Sequence, residues 1–132
     1  MKKITTVSLL VGLSMNLFAG RADIYIEECN GGMAEMCQMA AQFLQAENKP
    51  SEAKKYYKKA MDIMKKECSQ GDANACDNIG DFYIKGLGVK KSKSEAKKAY
   101  GKSAKVFKKK CDKGDKDSCG MLEFVDKKIK KL

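Results

Sequence analysis

The stretch Cys68-Ser69-Gln70-Gly71-Asp72-Ala73-Asn74-Ala75-Cys76 occurs again as Cys111-Asp112-Lys113-Gly114-Asp115-Lys116-Asp117-Ser118-Cys119, and in looser form between Cys29 and Cys37. Each pair of cysteines encloses seven residues, and the three pairs use all 6 cysteines of the 132-residue chain. A glycine stands three residues after each first cysteine: Gly32, Gly71 and Gly114. Glycine followed by aspartate is a stop and a start. Glycine adopts the left-handed conformation that ends one helix, and aspartate accepts from the free amides at the start of the next. A single helix through both cysteines would hold them about 12 Å apart at roughly 1.5 Å per residue, well beyond the roughly 4.4–6.8 Å a disulfide spans. Either the chain reverses at the glycine or the pair is not bonded. The glycine-aspartate step favours reversal, and the motif reads as a stapled helical hairpin.

Outward from these turns, the rest of the chain is rich in helix formers. It contains 1 proline, 27 Lys+Arg and no histidine, and it is 43% hydrophobic and 33% charged. That composition suits one globular helical domain. Without histidine, the chain lacks the commonest general base and the usual nitrogen ligand for metals.

The N-terminus has the layout of a secretory signal peptide. Met1-Lys2-Lys3 precedes an uncharged apolar run from Ile4 to Phe18, with small residues at Ala19-Gly20. The run falls short of the roughly 20 residues that span a bilayer, so a cleaved signal over residues 1–19 is expected, leaving no transmembrane span after cleavage. No cysteine follows the cut, which argues against a lipid anchor. Export leads to an oxidising compartment, where an even and regularly spaced set of cysteines is a disulfide framework. A zinc site would need close thiolate pairs or histidines. No metal and no cofactor is expected.

The mature chain is a repeat. Ser51-Glu52-Ala53-Lys54-Lys55-Tyr56-Tyr57 returns 43 residues later as Ser94-Glu95-Ala96-Lys97-Lys98-Ala99-Tyr100. First cysteines are offset by 39 residues and then by 43, so four residues are inserted in the second unit. The insertion falls at Lys85-Gly86-Leu87-Gly88-Val89, whereas the first unit turns more tightly through Asn48-Lys49-Pro50. Each unit reads as an A helix (Ala34 to Ala46, then Ala73 to Lys85) and a B helix (Ser51 to Cys68, then Ser94 to Cys111) capped by Ser51 or Ser94. Ala40, Ile79 and Leu122 align, as do Phe43, Phe82 and Val125, and small Ala41 and Gly80 suit a close helix crossing. A last A-type helix carries Met121, Leu122, Val125 and Ile129 on one face and lysines on the other, as a repeat stack needs where it ends in water. Arg21 to Cys29 reads as the remnant of a B helix.

The stretch Ile79-Gly80-Asp81-Phe82-Tyr83-Ile84-Lys85-Gly86-Leu87-Gly88-Val89, with Glu95-Ala96-Lys97-Lys98-Ala99-Tyr100 and the Cys-x-x-Gly turn, resembles the Sel-one-like repeat, a relative of the tetratricopeptide repeat. The cysteine spacing resembles that of the secreted Helicobacter cysteine-rich protein family in particular. The resemblance runs from about Cys29 to the end and is closest in the second unit; the first lacks the Gly-x-Gly loop. It implies an all-α, disulfide-stapled αα-hairpin solenoid with A helices lining the concave face. The expected layout is a signal peptide over 1–19 and a single repeat domain over 20–132. That domain contains about two full repeats (29–67 and 68–110) and a partial capping unit (111–132).

Two kinds of function follow. Repeat solenoids present an extended surface, and Asn74, Asn78, Asp81 and Lys85 form one polar stripe at helical spacing on the second A helix. That stripe is the expected binding site for a protein or peptide partner, in the periplasm or outside the cell. The family resemblance also implies penicillin binding and weak β-lactam hydrolysis, with β-lactam or cell-wall fragments as partners. Ser51-Glu-Ala-Lys54 and Ser94-Glu-Ala-Lys97 match the S-x-x-K of serine penicillin-recognising enzymes. Their S-D-N and K-T-G companions are missing, and two copies at repeat spacing are what helix capping predicts. No catalytic residue is assigned.

Charge divides the chain. Residues 90–132 carry 16 Lys+Arg against 6 Asp+Glu, whereas residues 20–89 carry 9 against 11. A basic C-terminal half favours association with polyanions outside the cytoplasm. Nucleic acid is not an expected partner, because the export signal comes without a base-stacking aromatic cluster.

Overall fold

The computed structural model describes residues 22–132, and all regular structure among them is α-helical. A helical stretch at 22–30 (α1) is followed by α2 (Ala34–Ala46), α3 (Pro50–Ser69), α4 (Ala73–Lys85), α5 (Lys93–Asp112) and α6 (Lys116–Lys130). The expected signal peptide and Arg21 lie outside the described residues. The A helices keep their sequence-derived bounds. The short linker 47–49 joins α2 to α3 and the longer 86–92 joins α4 to α5, so the four inserted residues of the second unit lie in this loop.

The three cysteine turns are built alike. Gly32, Gly71 and Gly114 have φ of 98°, 96° and 97°, a region that residues with a Cβ rarely enter. At the second turn Gly71 N–H donates to Cys68 O (3.0 Å) and Asp72 N–H to Glu67 O (3.1 Å), occupying carbonyls that the helix end leaves free. Gly114 and Asp115 repeat the pattern on Cys111 and Lys110. Next, Asp72 accepts from Ala75 N–H, and Asp115 accepts from Asp117 and Ser118 N–H, starting α4 and α6. The first turn has Met33 in place of aspartate, and α2 starts without a side-chain cap. Reversal brings the Cα atoms of each pair within 4.5–4.8 Å, and Cys29–Cys37, Cys68–Cys76 and Cys111–Cys119 are bonded.

The B-helix starts differ from expectation. Pro50 opens α3, after Lys49, and no side chain caps it. Proline's fixed φ and missing N–H suit the first helical position, where the amide has no partner in any case. Ser92 caps α5 by accepting from Glu95 N–H (3.1 Å). Ser51 and Ser94 therefore lie one step inside their helices and are exposed.

Packing proceeds in chain order, α2 on α3, α3 on α4, α4 on α5 and α5 on α6, which makes the molecule a stack of hairpins. α3 shows why: Ala53, Tyr57, Ala60, Met61 and Met64 recur at helical spacing and are buried, with lysines between them exposed. One apolar cluster runs from α1 through α4 and reaches Ala99 of α5, with the Phe82 ring edge-on to Tyr57 at 5.9 Å. A second, around Tyr100, Phe107 and Val125, holds α6 to α5 and α4. Tyr100 crosses α4 at Gly80, where an added Cβ would come within 2.3 Å of the ring.

Candidate functional site

The α4 helix lies between α3 and α5 and buries seven residues, including the carboxylate-bearing Asp77. Its remaining face carries the predicted stripe. Asn74 and Lys85 are exposed, and Asn78 and Asp81 are partly covered. The structure does not hold the four in one state. Asp81 accepts from the Tyr100 hydroxyl (2.5 Å) and from Lys128 Nζ (3.0 and 3.1 Å), while Asn74, Asn78 and Lys85 form no comparable cluster.

Three helices meet at that carboxylate. Lys128 comes from α6, reaches Asp77 Oδ2 at 2.8 Å as well as Asp81, and lies 5.2 Å from the Tyr100 ring centroid and 4.8 Å from that of Phe124. One ammonium thus pairs with two carboxylates one helical turn apart and ties α6 to α4. Asp77 is 7% exposed, and its Oδ1 is buried with no hydrogen-bond partner.

Titration of the cluster follows from this geometry. Burial raises the Asp77 carboxyl above its ordinary value, and the hydrogen bond and charge of Lys128 only partly offset it. Burial pulls the Lys128 ammonium down, but Asp77 and Asp81 outweigh it and the net shift is upward. The two ends of the pair differ for a geometric reason: Lys128 gathers two carboxylates, while Asp77 has one partner and one bare oxygen. Burial first, and then the bond to Asp81, raise the Tyr100 hydroxyl. Among the described residues the hydrogen-bond partner of the Asp77 side chain is Lys128. The cluster is built to hold helices together.

Little in the sequence marks this cluster. Asp77 and Asp81 stand at i and i+4, a spacing at which two like charges repel, and that unexplained pair was the available signal. Lys128 was indistinguishable from its neighbours in a lysine-rich helix. The S-x-x-K tokens sit in the exposed first turns of α3 and α5, at equivalent positions in the two hairpins.

Among the described residues no group of three or more Asp, Glu, His or Cys side chains is arranged to hold a metal ion, and no helix is long and apolar enough to cross a membrane. Three disulfides fit an oxidising environment. No protein-family model and no curated protein matches the chain.

Proposed function

We propose that the chain is an exported interaction module of the Sel-one-like, tetratricopeptide-related type. It works in the periplasm or outside the cell and holds a protein or peptide along its A-type helices. The observation that carries this reading is the polar face of α4, where Asn74, Asn78 and Lys85 stand at helical spacing on a helix fixed from both sides by α3 and α5. Asparagine amides donate and accept, so they suit the exposed backbone of an extended peptide. Asp81 contributes by fixing α6 beside this face, not by meeting the partner directly.

A pull-down from the periplasmic fraction tests the reading when wild type is run beside the Asn74→Ala/Asn78→Ala variant. The expected result is a protein retained by wild type and depleted at least tenfold with the variant. Equal capture by both overturns it.

A further inference from the structure

A second surface lies away from the α4 stripe, where α3 and α5 flank a groove of about 570 Å³. Its floor is the Cys68–Cys76 disulfide, Ile79, Tyr83 and Val106. Its rim is basic. Lys65 projects from α3, and Lys102, Lys105 and Lys109 from α5; all four are exposed, and none belongs to an ion pair among the described residues. Glu95, the lone carboxylate at the groove, is matched by Lys98 at 3.1 Å.

We infer that this groove seats an acidic amphipathic α-helix of a partner protein, its apolar face on the floor and its carboxylates on the lysine rim. Length and charge spacing decide the occupant. The lining stretch of α5 from Glu95 to Lys109 rises about 21 Å at roughly 1.5 Å per residue, room for a partner helix of about four turns. Lys102, Lys105 and Lys109 recur every three to four residues. Carboxylates at i, i+3 or i+4, and i+7 of an adjacent helix repeat with the same pitch. Four lysines therefore meet several carboxylates at once, whereas a single-headed amphiphile brings one or two charges and leaves most of the rim unmatched. Helix-in-groove docking supplies the apolar contact, and the lysines supply orientation and a fast approach. The inference shares with the proposed function the idea of an interaction module, but uses different residues.

The probe is a synthetic sixteen-residue helix with leucines on one face and glutamates beside them, titrated against the oxidised protein by fluorescence anisotropy. Saturable binding that weakens with salt is expected, with at least a tenfold loss in the Lys102→Glu/Lys105→Glu/Lys109→Glu variant. The same charge change off the groove, Lys93→Glu/Lys97→Glu/Lys116→Glu, should stay within twofold of wild type, as should Asn74→Ala/Asn78→Ala. The substituted lysines are all exposed, so circular dichroism and the melting temperature of both lysine variants should be unchanged. Absence of saturable binding, equal losses in the two lysine variants, or equal binding of a glutamine-for-glutamate peptide would overturn the inference. So would displacement of the peptide by phosphatidylglycerol vesicles, which assigns the groove to a membrane surface. Concentration-dependent self-association abolished by the groove variant assigns it instead to a second copy, whose α1 exposes Asp23, Ile24 and Glu27.

Discussion

The joint between α4, α5 and α6 depends on the missing side chain of Gly80 and on the ammonium of Lys128. At Gly80 the obstacle to a methyl group is the Tyr100 ring, itself held by its hydroxyl bond to Asp81, so it cannot swing clear without breaking that bond. Gly80→Ala is expected to lower stability by about 1–3 kcal/mol, the usual range for overpacking, read from urea unfolding. Lys128→Met removes the cation that pairs with Asp77 among the described residues and leaves a nine-tenths buried carboxylate unpaired, with an expected loss of about 2 kcal/mol. Adding Asp77→Leu should restore part of that loss; a double variant no more stable than Lys128→Met would show that the charge was not the cost. Ser51 and Ser94 are expected to carry no chemistry. With a chromogenic cephalosporin, any turnover should be the same in Ser51→Ala/Ser94→Ala as in wild type.

The helices depend on their ends, and at the start of α6 the aspartate cap brings in pH. Asp115 is held below the ordinary carboxyl value, first by the Ser118 hydroxyl and then by backbone amides. A carboxyl lowered in the folded state stabilises it above the ordinary value, and the effect is lost as pH falls through the lower one. The start of α6 should therefore loosen below about pH 4, and Asp115→Ala should lower the melting temperature at pH 7 more than at pH 3. Asp77 runs the other way: its raised carboxyl makes the fold less favourable as pH rises from the ordinary value through the raised one. The Lys128 contribution is present below the ordinary ammonium value and is lost only as strongly alkaline pH passes its raised one.

For the molecule as a whole, the staples matter because the stack is short. A disulfide closing a nine-residue loop is worth about 2.5 kcal/mol in the chain-entropy estimate, and three reach about 7 kcal/mol if additive. The net stability of a domain is only about 5–15 kcal/mol. Complete reduction should lower the melting temperature sharply, and unchanged thermal unfolding after reduction would show that helix packing alone suffices. The charge division acts at this scale too: the three groove lysines of α5 belong to the basic C-terminal half.

Most of the fold was legible because the turn signals are local. Glycine and aspartate at fixed offsets from cysteine dictate a helix end, a reversal and a new start within nine residues, and the 39- and 43-residue offsets locate the longer loop. The cap of α5 was misplaced by two residues, because Ser92 and Ser94 both stand before the apolar pattern and only backbone geometry chooses between them. The polar stripe on α4 was legible as a helical face, but the fate of Asp81 was not. Its partners lie 19 and 47 residues away, and no local pattern shows that Lys128, among so many lysines, turns inward between two aromatic rings. The groove likewise exists only once α3 and α5 are set on either side of α4. Sequence by itself determined the stapled hairpins, because their causes lie within one turn of chain. Tertiary structure alone decided which charges are matched and which remain open to a partner, because charges pair by distance in space.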